Sequence, residues 1–93
     1  MSDNQELIKF FKALSNDERI EIIKLLLKNG EMYAQDIERR FYLEQSTTSH
    51  HLNMLKRCGI AKARKEGRKI YYSVDQANFK RIWEFFGKLV LNK

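Results

Sequence analysis

Between Gln45 and Ser73 the chain changes period. Up to Arg57 its residues divide between two faces of a helix, and beyond Cys58-Gly59 β-branched and aromatic residues alternate with polar ones, as in an extended hairpin. On the helical part Thr48, Leu52 and Leu55 share one face, while Ser46, Ser49, His50 and Asn53 recur at i, i+3, i+4 and i+7 on the other. The extended part runs from Ile60 to Lys65 and from Arg68 to Val74, with Glu66-Gly67 as the tight turn. The same segment holds Lys56, Arg57, Lys62, Arg64, Lys65, Arg68 and Lys69 against a lone Glu66, seven positives less one negative, which is the whole net charge of +6. Of 18 basic and 12 acidic residues, the 11 of each sign that remain elsewhere cancel. A positive excess confined to one element marks a face that meets a polyanion, so nucleic acid is the leading partner.

At 93 residues the chain is one small domain, 1–93, with a thin core. Yet 43% of it is hydrophobic, and 6 Phe, 4 Tyr and 1 Trp are more apolar material than a small monomer easily hides, which points to oligomerisation. With no proline and four glycines it has no linker-rich stretch, and neither a repeat nor a domain boundary is visible. A lone Cys58 cannot close an intramolecular disulfide, and no run is long enough to span a bilayer or to serve as a signal sequence. The expectation is a cytoplasmic protein with no membrane partner.

The flanking segments read as helices. Leu7, Phe10, Phe11 and Leu14 form one apolar stripe over 5–14. A second helix follows, capped either by Asn16 directly or by a Ser15/Glu18 capping box. Its apolar surface (Ile20, Ile22, Ile23, Leu25, Leu26, Leu27) is wide enough for a central position, and Gly30 suits a left-handed C-cap. A short third helix covers Ala34 to Arg40, with Ile37 and Phe41 inward, and Tyr42 to Glu44 is a turn before the fourth helix at Gln45. In the last helix, 77–91, Phe79, Ile82, Trp83, Phe86, Leu89 and Val90 recur at helical spacing. The expected fold is mainly α with a β-hairpin wing, in the order ααααββα.

A short helix, a turn and a polar-faced second helix make a helix-turn-helix whose second helix can enter a major groove. Gln45, Ser46, Thr47, Ser49, His50 and Asn53 are then the candidates for base readout, being able to hydrogen-bond base edges. Lys56, Arg57, Arg64, Lys65, Arg68 and Lys69 are the candidates for the DNA backbone or minor groove. His50 and His51, adjacent on a helix, point about 100° apart and cannot chelate together; His50 is assigned to DNA and His51 to the core or its edge. Cys58 reads as a small residue packed at a helix end, with a thiol sensitised by Lys56 and Arg57 as the alternative. Trp83, Phe85 and Phe86 read as core or interface, with a ligand pocket as the alternative. No Cys/His pair, paired-carboxylate arrangement or Gly-rich phosphate loop can be located, so an enzyme is not expected.

Phe11-Lys12-Ala13-Leu14-Ser15 with Arg19-Ile20, then Gln45-Ser46-Thr47-Thr48-Ser49-His50-His51-Leu52, then Glu66-Gly67-Arg68-Lys69-Ile70-Tyr71-Tyr72 are three landmarks in order. In them the chain resembles the ArsR/SmtB-type winged-helix repressors of prokaryotes. The resemblance implies a homodimer held by the first and last helices, here Leu7, Phe10, Phe11, Leu14, Phe79, Ile82, Trp83, Phe86, Leu89 and Val90, binding double-stranded DNA at an inverted-repeat operator. The inducer sites depart from the family. Where metal-sensing members carry E-L-C-V-C-D-L, this chain has Glu31-Met32-Tyr33-Ala34-Gln35-Asp36-Ile37, and from Asp75 to Lys93 only Asp75 and Glu84 could serve, with no His. Neither a metal nor a cofactor is expected. The alternatives are an effector-responsive repressor of the same fold, sensing through Cys58 or an aromatic pocket, and a winged-helix module that docks an acidic protein.

Overall fold

In the computed structural model, which describes residues 3–91, the first junction is made by Asn16. Its side-chain oxygen accepts the Arg19 amide at 3.0 Å and starts α2 (Asp17–Asn29). Of the two caps open to the sequence, the direct one forms; Ser15 turns away and donates to the Lys12 carbonyl (2.9 Å) at the end of α1 (Asp3–Leu14). Gly30 closes α2 with φ 84° and ψ −55°, a positive φ as expected but outside the left-handed helical well. Positions 1, 2, 92 and 93 of the expected domain lie outside the described residues.

The order then runs β1 (Met32–Tyr33), α3 (Ala34–Phe41), α4 (Gln45–Arg57), β2 (Ala61–Glu66), β3 (Lys69–Val74) and α5 (Gln76–Leu91). The sequence-based order ααααββα therefore lacks one element, β1, because two residues show no period of their own. Met32 stands opposite Tyr72 and Tyr33 opposite Tyr71, so β1 completes a three-stranded antiparallel sheet in the order β1-β3-β2. In the hairpin Glu66 pairs with Lys69, and the two-residue turn is Gly67-Arg68, one position later than the sequence suggested. Gly67 has φ 63° while Arg68 stays at negative φ, the pattern of a type II′ turn. Alternation sends Ala61, Tyr72, Val74 and Met32 to the core side. Arg64, Glu66, Lys69, Tyr71 and Tyr33 share the outer side.

Phe10, Ile22, Leu26, Ile37, Leu52, Leu55, Ile60 and Ile82 are fully buried and join all five helices to the base of the hairpin. The terminal helices meet through aromatic rings, Phe10 on Phe79 at 5.1 Å and Phe11 on Phe86 at 4.7 Å. This redistributes the residues expected at a dimer surface. Phe10 and Ile82 have no exposure and Leu7 has 7%, so they are spent in the protomer's own core, while Phe11, Leu14, Phe79 and Phe86 are half-buried. Trp83, Leu89 and Val90 remain at 54–62% exposure. An apolar stripe announces that it will be covered but not by what, and here α1 and α5 cover much of each other.

The α4–β2 junction is tightest at Gly59. Its φ is 83°, its carbonyl accepts from Asn78 Nδ2 at 2.9 Å, and the neighbouring Ile60 carbonyl accepts the Asp75 amide at 2.8 Å. Asp75 in turn caps α5 by accepting the Asn78 amide (3.2 Å). A Cβ at residue 59 would lie 2.1 Å from Asn78 Nδ2, whereas one at Gly67 meets nothing within 4 Å. Gly59→Ala is expected to lower stability by about 2 kcal/mol or more, combining left-handed strain with a displaced hydrogen bond, against about 1 kcal/mol for Gly67→Ala. Urea unfolding of both variants measures this; equal losses would contradict the packing assigned to Gly59.

Candidate nucleic-acid interface

The orientation of α4 is set by a buried arginine. Arg19 lies on the α2 face that carries Ile22 and Leu26 and is 7% exposed. Its Nε donates to the Ala13 carbonyl at 2.7 Å, and its Nη2 lies 3.2 Å from the Lys12 carbonyl that Ser15 also caps, so the guanidinium is tied to the end of α1. Its Nη1 lies 3.1 Å from His51 Nδ1. A guanidinium can only donate, so Nδ1 accepts, and the ring proton sits on Nε2, which donates to Glu18 Oε1 at 2.8 Å. Sequence reasoning did not foresee Arg19 as buried, although its i, i+3, i+7 spacing with Ile22 and Leu26 was there to be read.

With His51 held, Thr48, Leu52 and Leu55 turn inward, and Gln45, Ser46, Ser49, His50 and Asn53 are exposed, with Thr47 half-buried. The wing comes close to the start of this face. Gln45 and Ser49 line a groove of about 230 Å³ together with Arg68, Lys69 and Tyr72 from the hairpin and Gln35 from α3. Gln35 had no sequence signal beyond its polarity. Lys56 and Arg57 sit at the opposite end of α4, roughly 18 Å along the axis from Gln45. Arg57 there lines a separate cleft of about 240 Å³ with Lys9, Lys12, Met54 and Cys58. The expected cations thus fall into two groups, one at each end of the polar face.

Within the wing the charges differ in company. Lys65 and Arg68 are exposed, and Lys69 Nζ lies 4.8 Å from the centre of the Tyr33 ring. Arg64 is engaged by both oxygens of Glu31 (2.8 Å each) and by Glu66. The Arg64 hydrogen bond holds the Glu31 carboxyl below its ordinary value, and the two carboxylates push the guanidinium above its own range.

Cys58 corrects the alternative that made it a sensitised thiol. It is 8% exposed, its Sγ donates to the Leu55 carbonyl, and burial pushes the thiol pKa up, outweighing the smaller influences that lower it. Among the described residues no group of three or more His, Cys, Asp or Glu side chains is placed to hold a metal ion, and no helix is long and apolar enough to cross a membrane.

Comparison with known proteins agrees with this geometry. The family model of bacterial regulatory proteins of the arsR family matches residues 16–63, from the α2 cap into β2. A cadmium resistance transcriptional regulatory protein CadC homolog of Staphylococcus aureus is 43% identical over 79 residues, covering 85% of this chain and 65% of that protein. The chain therefore spans about two thirds of that relative's length. The transcriptional repressor SdpR of Bacillus subtilis is 42% identical over 65 residues, 70% of this chain and 71% of SdpR. Among solved structures, the homodimeric winged helix-turn-helix DNA-binding domain Mb0332 from Mycobacterium bovis superposes with a TM-score of 0.75 at 28% identity, covering 92% of this chain and 79% of that one.

Two adjacent histidines thus have opposite surroundings. His51→Ala strands a buried guanidinium proton and opens a void, and is expected to cost about 2 to 4 kcal/mol in chemical unfolding. His50→Ala, at an exposed site, should stay within about 0.5 kcal/mol of the parent. Comparable losses from the two would refute the inward and outward assignment.

Proposed function

The chain belongs to the arsR family of bacterial regulatory proteins, DNA-binding regulators of transcription and not enzymes, and from that premise we propose that it is a homodimeric repressor acting on an inverted-repeat operator. The observation that carries the reading is the groove in which Gln45 and Ser49 of α4 stand beside Arg68 and Lys69 of the wing, in a chain whose net charge falls wholly within residues 45–73. A major groove admits α4 with its polar face toward base edges, where Gln45, Ser46, Thr47, Ser49, His50 and Asn53 select the sequence. Lys56, Arg57, Lys65, Arg68 and Lys69 supply affinity by releasing counterions from phosphates. Repression follows by occlusion of the promoter.

A second copy is favoured by what remains uncovered. Ile8 on α1 and Trp83, Leu89, Val90 and Leu91 on α5 are at least half exposed, beside the half-buried Phe11 and Phe86. Pairing of these helices across a two-fold axis buries that surface and sets two α4 helices on one face of the duplex, about one helical turn apart. The Mb0332 domain is itself homodimeric, which supports a second copy.

The CadC relative raises the question of a metal, and the donor set here does not fit one. Residues 31–37 contain no Cys, Asp75 is committed to capping α5, His51 lies between Arg19 and Glu18, and no His follows residue 51. A borderline-soft divalent ion needs thiolate or imidazole ligands that these segments do not provide. We therefore read the repressor as one that does not sense metal.

Selection of bound sequences from a random duplex pool, with chelator and reductant present, tests the central claim. Recovery of an inverted repeat is expected, and the affinity for it should not change on adding zinc or cadmium. No enriched motif would leave the proposal without its basis. On the recovered duplex, Arg68→Ala should weaken cognate and random sequences alike and lower the salt slope by about one. The double change Ser49→Ala with His50→Ala should instead collapse the ratio between them, and an unchanged ratio would remove both residues from readout.

A further inference from the structure

Sequence alone groups Arg64 with Lys65, Arg68 and Lys69 as cations for DNA, but its contacts set it apart. We propose that Arg64 is a positioning residue that straps the wing to the helix-turn-helix through Glu31 and does not itself meet DNA, an inference that rests on the DNA-binding reading above.

The strap crosses the whole sheet. Arg64 in β2 stands opposite Tyr71 in β3, which stands opposite Tyr33 in β1, so the three share one row on the outer face. Strands β1 and β2 are not neighbours, and no ladder hydrogen bond joins them. The guanidinium bridges that gap. It lies 4.9 Å from the centre of the Tyr71 ring and forks onto Glu31, the residue before β1, with Nε to Oε2 and Nη2 to Oε1 both at 2.8 Å. Its Nη1 is taken by Glu66.

Position gives the fork its consequence. Tyr33 passes directly into Ala34, the first residue of α3, so whatever holds Glu31 holds the wing against the helix-turn-helix. Arg68 and Lys69 lie beyond that fork toward the hairpin tip, Lys69 reaching back over the Tyr33 ring, and their distance from Gln45 and Ser49 depends on how the hairpin leans. Charge argues in the same direction. Two carboxylates engage one guanidinium, so Arg64 offers an arriving phosphate fewer free donors and less uncompensated charge than an unpaired cation does. Among the described residues Lys65 and Arg68 have no carboxylate partner. A bidentate, ring-stacked site also requires arginine, because an ammonium cannot make the planar fork.

The sign of one substitution separates a strap from a DNA contact. Glu31→Gln removes a negative charge and releases the fork without changing shape. If Arg64 were a sequestered phosphate contact, the change would free it and tighten binding. As a strap it loosens the wing, and binding to the duplex selected above should weaken by about three- to fivefold, the scale of lost preorganisation of a few side chains. Arg64→Ala and Arg64→Lys should each weaken binding by a similar factor, with the salt slope of the parent, and the double change Glu31→Gln with Arg64→Ala should be no worse than either single one. Hydrogen exchange at the amides of residues 65–69 should quicken in Glu31→Gln in the absence of DNA. Unchanged or tighter binding by Glu31→Gln, a slope lowered by about one in Arg64→Ala, or retention of affinity in Arg64→Lys overturns the strap. Failure of the parent protein to bind any duplex instead defeats the DNA-binding reading, and the inference falls with it.

Discussion

The contact on which the arrangement depends is the donation from buried Arg19 to His51. A guanidinium shielded from water must place its protons on acceptors or cost several kcal/mol. Here it has three, two carbonyls at the end of α1 and one imidazole nitrogen on α4, and the imidazole passes its own proton to Glu18. One side chain thus ends the first helix, fixes the histidine tautomer, and turns the fourth helix about its axis. Because adjacent helical positions diverge by about 100°, holding His51 inward is what presents His50 and Ser49 outward.

A second constraint is the sheet. Two residues of β1 add little hydrogen bonding, but they place the start of α3 beside the middle of β3, and through β3 beside β2. The hairpin is therefore an extension of the strand that leads into the helix-turn-helix. Its outer face alternates cations with tyrosine rings, Arg64 over Tyr71 and Lys69 over Tyr33, an ordering that a flexible basic loop would lack. The positive charge of the chain is consequently of two kinds. Some of it is committed inside the protein, and some is left at the tip and at the end of α4.

The aromatic residues are divided in a similar way. Phe10 and Phe79 close the protomer's core, Phe11 and Phe86 sit at its margin, and Trp83 lies stacked beside Phe79 with half its surface in water. A domain of this size lacks the interior volume to hide them all. The same surplus that helps to hold α1 against α5 supplies the uncovered patch on which pairing with a second copy is proposed.

Much of this was legible in the residues. The 3.6-residue period places Thr48, Leu52 and Leu55 inside and Ser46, Ser49, His50 and Asn53 outside, and α4 begins and ends at the residues that the period indicates. The shift to alternation places the hairpin within a residue of its observed ends, and the clustering of charge marks it. Periodicity reports which side of an element is covered, because that is a property of one element and of water. It cannot report the covering partner, so Phe10 and Ile82 look the same as interface residues, Arg64 looks the same as Lys65 and Arg68 although Glu31, 33 residues away, engages it, and β1 has no signal of its own. Those features depend on pairs of residues distant in sequence that chain topology alone brings together. The elements, the polar face and the site of positive charge follow from local pattern and water; which apolar residues are interior, which cations are engaged, and how the wing stands against α4 follow from contacts between distant segments that exist once the chain is folded.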